Sequence, residues 1–498
     1  MIFLLSYAVV WLFLASPYRF IPCDDKIFLE PIFNHIPLFQ FFLKSIRAVF
    51  CAIGNTENSL QMALVWQAIL SNIFILSSTV WIIFCLRRRI SLAIMGACLY
   101  ATSAWPAMYY LFASYTVFAT SLAHLSLAAV VTAFFSRTSL RRSIFLFLGG
   151  IASGAFFLSS PSSPVLISLM VMGVFLFFKS RKPRQSLKEA AFYVLPCLSI
   201  IASTLIAHYD IFWYHWQDNL HSGHYVDTLD KFGYLPRVPF FSFFLILKTY
   251  SPIIFTSFLI LSVIWLIINR NALRDQVLSV YLLGVIISHA ILIDLLPFTK
   301  LGRTHFVIYP LLLIVLVVMA YDIYKTIVFS RVIQRLYCTV IIAAWACALC
   351  MNIHSCLLIV NLKQRTAAFL SRMMEGAEIL MLENDPCSFG VEEWLHKGIN
   401  KVKNLDEIKW RSPKVVFLLG PHGSRSGSNM LRHCCLPDLV IDGFGDKLRS
   451  AQKWEFPYYI LYPFFFFEEE NCEALFFENK VPDWRQDDNK LTVWVWQN

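Results

Sequence analysis

Charge is scarce in this 498-residue chain: 15% of residues are Asp, Glu, Lys or Arg, against 58% hydrophobic. A soluble domain carries about a quarter charged residues, so the composition excludes an ordinary soluble fold and indicates a polytopic α-helical membrane protein. No Asn-x-Ser/Thr acceptor occurs anywhere. Such acceptors are common in lumenal domains, which leans the reading to a bacterial inner membrane. No internal repeat is visible, so the inverted-repeat architecture of many transporters has no support. The loop Gly420-Pro421-His422-Gly423-Ser424-Arg425-Ser426-Gly427-Ser428 lacks the Lys before Ser that a phosphate loop requires, and no helix clearly follows it. An ordinary loop is expected there.

The net charge of +10 is not a nucleic-acid signal, because most Lys and Arg fall in short clusters between apolar runs, where they orient the chain in the membrane. The 13 cysteines sit mostly inside those runs, where Cys behaves as a small hydrophobe, and no redox or zinc-ribbon framework is read from them. Cys387, Cys434, Cys435 and Cys472 lie outside the runs near the C-terminus. His433-Cys434-Cys435 suits a metal, though a disulfide, or neither, fits an oxidising compartment at least as well.

The apolar runs predict about eleven spans, near 2–16, 60–86, 90–111, 115–135, 143–159, 163–178, 188–207, 250–268, 277–297, 305–323 and 337–360. Basic clusters mark every other loop: Arg87-Arg88-Arg89, Arg137 with Arg141 and Arg142, Lys179 to Arg184, Arg270 with Arg274, and Lys325 with Arg331 and Arg335. By the positive-inside rule these loops are cytoplasmic, the N-terminus is inside and the C-terminus outside. The stretch Ile36-Pro37-Leu38-Phe39-Gln40-Phe41-Phe42-Leu43, followed by Lys44 and Arg47, suits an amphipathic helix lying in the interface. Residues 1–365 thus form a transmembrane domain. After residue 365 charge, Gly and Pro become frequent, predicting a small extracytoplasmic α/β domain over 366–498. Helices are expected at 366–382 and 391–403, and strands at Lys414–Leu419, 439–441 and 491–496.

Three outer segments carry groups with chemical potential. Asp24 and Asp25 follow the first run directly. Paired carboxylates at a membrane surface are costly to desolvate; they suit a base that takes a proton from an acceptor hydroxyl, or a holder of a metal against a leaving phosphate. Lys300, Arg303 and His305, then Tyr309, lead into the tenth run. Arg recognises phosphate bidentately and Lys adds a point charge, although snorkelling onto lipid headgroups is the plain alternative. The loop 208–238 opens with Tyr209, Asp210, Trp213, His215, Trp216 and Asp218. Aromatic faces suit sugar rings, and the polar groups suit hydroxyls; an aromatic interface belt is the plain alternative.

These features together resemble the integral-membrane glycosyltransferases of GT-C type, a superfamily that includes the protein O-mannosyltransferases, the lipid A aminoarabinose transferase and the rhizobial lipopolysaccharide core transferases. Asp24-Asp25 with Ile36-Pro37-Leu38-Phe39, a Gly-rich fifth span reaching Ser159-Ser160-Pro161, and Lys300, Arg303, Tyr309 and Pro310 at a late span carry the likeness. It covers about residues 1–325. The resemblance implies a polyprenyl-phosphate-linked sugar donor, a glycan, lipid or protein acceptor, and inversion at the anomeric carbon. It also implies Asp24 or Asp25 as catalytic carboxylate, and Lys300 or Arg303 at the donor phosphate, with His305, Tyr309 and Ser160 beside them. Two departures stand out. The turn between the third and fourth spans, Tyr110 to Thr116, has no carboxylate, and Ser160 stands where the family typically shows a basic residue. The first favours a base over a metal ligand and leaves a divalent cation open as cofactor. A transporter or lipid-linked-glycan flippase using His289 and Asp294, or a ligase using a diphosphate-linked donor, is the alternative reading.

Overall fold

The computed structural model describes residues 37–54, 59–103, 115–160, 165–180, 183–207, 251–269, 277–295, 305–326, 331–382, 400–402, 414–419, 452–457 and 490–497, with single positions between 209 and 247. Asp24, Asp25, His215, Trp216, Asp218, Lys300, Arg303 and the four C-terminal cysteines lie outside the described residues, as do the first apolar run and the 439–441 strand.

Among the described residues the chain forms α1 (Pro37–Ala52), α2 (Ser59–Arg87), α3 (Ile90–Ala101), α4 (Tyr115–Phe135), α5 (Ser139–Phe157), α6 (Val165–Ser180), α7 (Pro183–Ala207), α8 (Pro252–Asn269), α9 (Val277–Leu295), α10 (Tyr309–Thr326) and α11 (Arg331–Met373). Seven of these helices are long and apolar enough to cross a membrane, and three more, α3, α6 and α8, are apolar but shorter. The protein is a multi-pass membrane protein. Proline stands at the first position of α1, α7 and α8, where the missing N–H costs nothing and the fixed φ suits a helix start. Hydroxyl groups inside the spans bond back one turn, as Thr120 does to the Thr116 carbonyl (2.7 Å) and Thr132 to Ala128 (2.6 Å). A buried hydroxyl in apolar surroundings needs such a partner.

α10 is the centre. In it 72% of the residues of the apolar window are buried, against 6% in the 331–350 part of α11, which lies at the rim. Every residue from Tyr309 to Ala320 is buried. α5 and α7 pack closely through small residues. A Cβ on Gly150 would sit 2.2 Å from the Tyr193 carbonyl oxygen, and one on Gly154 would lie 2.9 Å from Ile200. Beside them the buried hydroxyls of Ser126, Ser153 and Tyr193 bond one another at 2.8, 3.1 and 3.2 Å. Close backbone approach and a satisfied interhelical polar cluster are how helices associate where lipid removes the hydrophobic drive.

The basic ends form a second set of ties. Arg87 pairs with Asp322 in α10, which also accepts from Trp265 Nε1 at 3.1 Å. Arg88 has φ 53, a left-handed conformation that lets two residues link α2 to α3; its guanidinium lies over Phe84 and Phe135. Arg89 and Lys325 both lie over Tyr321. Arg142 of α5 pairs with Glu189 of α7 at 2.9 Å. The amphipathic stretch forms α1, whose Phe39 and Phe42 pack on Phe118 while Lys44 and Arg47 stay exposed.

α11 runs unbroken through residue 365 to Met373, and a turn with Gly376 at φ 68 follows it. A five-stranded sheet follows, in the order β2-β1-β3-β5-β4: β1 (Glu378–Leu382), β2 (Asn400–Val402), β3 (Lys414–Leu419), β4 (Gln452–Pro457) and β5 (Lys490–Gln497). β1 pairs in parallel with β2 and β3, and β5 pairs antiparallel with β3 and β4. The strands expected at Lys414–Leu419 and 491–496 are present. The helix expected over 366–382 is corrected: it stops at Met373, and 378–382 is a strand. The helix expected over 391–403 is corrected at 400–402, a strand as well. Within β1 the adjacent Ile379 and Leu380, on opposite faces of the strand, are both buried, and a short continuous apolar stretch is a pattern that periodicity does not separate from a buried helix. Cys347 and Cys350 stand at a C-x-x-C spacing in α11 as free, exposed thiols on a rim helix.

Candidate functional site

A polar layer lies where α3 ends and α10 begins, away from the basic ends. α3 has 12 residues, about 18 Å at 1.5 Å per residue, and α10 begins only at Tyr309. Tyr309 lies 13 positions from Asp322, so about 20 Å from the basic face. Asn72 on α2 receives the Tyr100 hydroxyl at 2.5 Å. Next to it along the chain, Ser103 closes the end of α3 by donating to the Leu99 carbonyl (2.6 Å). Its hydroxyl also meets that of Tyr309, and Ser251, just before α8, donates to the Tyr309 oxygen at 3.1 Å.

Three histidines join this layer at a similar depth. His305 is fully buried, one helical turn before Tyr309. His289 of α9 meets it edge to face, with ring centroids 5.3 Å apart at 86°. His124 of α4 is fully buried and faces the Val307 backbone. Counted along their helices, His289 lies 12 positions from the start of α9 and His124 lies 11 from the end of α4, about 16–18 Å from the basic ends. Against a hydrocarbon core about 30 Å thick, these counts put His124 and His289 about halfway along their helices. Asp294, farther out on α9, is also buried at 1% exposure. Among the described residues no group of three or more His, Cys, Asp and Glu side chains could hold a metal ion.

Of the residues singled out from the sequence, His305 and Tyr309 are both fully buried, one turn apart. Ser160 follows α5, half-buried, its N–H bonded to the Phe156 carbonyl at 2.9 Å. Tyr209 and Trp213 stack at 5.8 Å and 14°, and both are exposed, as is Asp210. This is an open aromatic face beyond the end of α7. Sequence reasoning missed Ser103, Ser251 and His124. His124 carried a usable signal, since an ionisable residue within an apolar span points to a site by default. The two serines carried none.

No protein-family model matches the chain, and no curated protein matches it in sequence. Solved structures with its architecture include ArnT from Cupriavidus metallidurans bound to undecaprenyl phosphate, with a TM-score of 0.51 and 11% identity over 99% of this chain and 97% of that one. The same protein in its apo state gives a TM-score of 0.49 and 12% identity, over 99% and 97%. At such identity the likeness is one of fold. The chain therefore has an ArnT-like fold.

Proposed function

We propose that the chain is a membrane glycosyltransferase that moves a sugar from a polyprenyl-phosphate-linked donor to an acceptor on the outer face. The observation that carries this reading is the buried polar layer at His305 and Tyr309, at the entry of the central helix of an ArnT-like fold. Lys300 and Arg303 precede it by a few residues. The related fold was crystallised with undecaprenyl phosphate, a lipid of the class proposed here as donor carrier.

In the reaction the acceptor hydroxyl oxygen bonds to the anomeric carbon from the side opposite the phosphate. The bond from that carbon to the phosphate oxygen breaks, its electron pair staying on the phosphate. The hydroxyl proton passes to the carboxylate of Asp24 or Asp25, and the polyprenyl phosphate leaves as a monoester carrying one more negative charge. Lys300 and Arg303, supported by His305, Tyr309 and Ser160, face that growing charge; fixed cations and donors in a site shielded from water act most strongly on charge that develops in the transition state. The exposed Tyr209–Trp213 stack, with Asp210, His215, Trp216 and Asp218, offers faces and acceptors to a hexosyl or pentosyl group. The domain after residue 365 lies on the periplasmic side in this reading.

The test is transfer from defined lipid-linked sugars by purified Asp24→Asn, Asp25→Asn and the double variant. At least one single variant is expected to be folded and inactive; full transfer by all three overturns the assignment.

A further inference from the structure

His289 has no role in the scheme above, yet its placement is specific. It is fully buried in α9, and neither ring nitrogen makes a hydrogen bond. A Phe or Leu would fill the same space without unmet polar atoms, so a partnerless imidazole in hydrocarbon marks a polar group that joins it on binding. Its ring stands edge-on to His305, and His305 in turn tilts against Phe243 at 6.1 Å.

A series of rings leads outward from Phe243. Phe244 lies 6.0 Å from it, stacks on Phe240 at 5.9 Å and meets Phe255 at 5.5 Å. Phe243 and Phe255 are buried, whereas Phe244 is 40% exposed on the side of the bundle. The series thus connects a lipid-accessible ring to the imidazole pair. It is also tied down: Phe240 holds φ 74, and its N–H bonds at 3.2 Å to the carbonyl of Ala290, the residue after His289. A left-handed non-glycine residue persists where its surroundings enforce it, and such residues cluster at ligand sites.

We propose that His289 and His305 together take the phosphate group of a polyprenyl phosphate whose chain lies along Phe244, Phe240 and Phe255. This rests on the donor reading above and adds to it a residue and a lateral route. The two imidazoles part from their edge-to-face contact as the phosphate enters, and each then presents an N–H to a phosphate oxygen. The donor is a phosphodiester with one negative charge and the product a monoester with two, so these donors favour the leaving group over the substrate. Asp294, the acidic group of α9, is five positions farther on, about 140° around the helix from His289, and so turns away from the phosphate.

The full-length protein in detergent micelles is titrated with undecaprenyl phosphate, undecaprenol and dioleoyl phosphatidic acid, read by thermal unfolding and native mass spectrometry. The wild type is expected to bind undecaprenyl phosphate about tenfold or more tightly than either competitor. His289→Phe keeps a ring against His305 and removes both nitrogens. It is expected to unfold no lower than wild type without lipid and to lose the preference over undecaprenol. His289→Gln, with an amide NH2 as donor, is expected to keep part of the preference, and carries the test should the Phe variant not fold. Phe244→Ala is expected to weaken the phosphate and the alcohol alike. Unchanged preference in the His289 variants overturns this inference and leaves the donor reading standing. Wild type with no preference over undecaprenol overturns both. Phosphatidic acid binding as tightly as undecaprenyl phosphate assigns the pair to phospholipid headgroups and overturns its assignment to the donor.

Discussion

Arg87 and Asp322, 235 residues apart in sequence, meet in a two-pronged ion pair at the basic end of the bundle, with Arg87 Nε 2.7 Å from one carboxylate oxygen and the second prong formed by Nη2. The pair joins α2 to the central helix, and Trp265 of α8 closes it from the other side. It sets the register against which the depth of the polar layer is measured.

Breaking that pair leaves a charge stranded. The side chains keep only 16% and 12% of their exposure, so Arg87→Ala or Asp322→Asn is expected to cost about 2–4 kcal/mol, toward the lower part of the range for buried pairs because some solvent reaches both groups. Thermal unfolding in detergent measures it. The double variant Arg87→Met with Asp322→Leu is expected to lose less than either single change, since no unpaired charge remains.

Gly149 and Gly150 are neighbours with different tolerances. A Cβ at Gly149 meets Ala129 and Tyr193 side chains at 3.4 Å, whereas one at Gly150 strikes the Tyr193 backbone oxygen at 2.2 Å. Gly150→Ala is expected to lower stability by about 1–3 kcal/mol through forced separation of α5 from α7. Gly149→Ala is expected to change it by less than about 1 kcal/mol. Paired melting curves of the two variants check the contrast.

Tyr309 sits where structure and proposed chemistry coincide. Tyr309→Phe removes the acceptor for Ser251 and the partner of Ser103, at a stability cost of about 1–2 kcal/mol for the groups left unsatisfied. Transfer is expected to fall by about tenfold or more if the hydroxyl also serves the leaving phosphate. Ser251→Ala is expected to reproduce the stability loss with a smaller kinetic effect. Steady-state transfer assays on both variants separate the two contributions.

Lys300 and Arg303 are expected to act through donor charge. Each changed to Ala should reduce transfer while leaving binding of undecaprenol untouched. Arg303→Lys should restore less than the full rate, because a point charge does not replace a planar fork. Rates measured against donor concentration at two ionic strengths test this, with the variants showing the weaker salt dependence.

The spans were legible because their signal is local. α2, α4, α8 and α9 begin and end within a few residues of the runs at 60–86, 115–135, 250–268 and 277–297. Each depends only on about 20 successive residues preferring hydrocarbon to water. The third span is helical over Ile90–Ala101, and the rest of its run beyond residue 103 lies outside the described residues. β1 was misread as helix because its continuous apolar stretch Ile379-Leu380-Met381-Leu382 has no alternation to show.

The sequence by itself determined the membrane class, the alternation of basic loops and most of the helical segments. Each of these follows from composition or from short-range pattern, which the chain carries whether or not it is folded. Only the tertiary structure decided that His289 meets His305 and His124 faces the Val307 backbone from separate segments, and that Ser103 and Ser251 converge on one phenol. Those facts depend on which helices pack side by side and on how far each is offset along the membrane normal. Gly150 against the Tyr193 backbone and Arg87 against Asp322 set such offsets, and neither contact is visible until residues far apart in sequence have met.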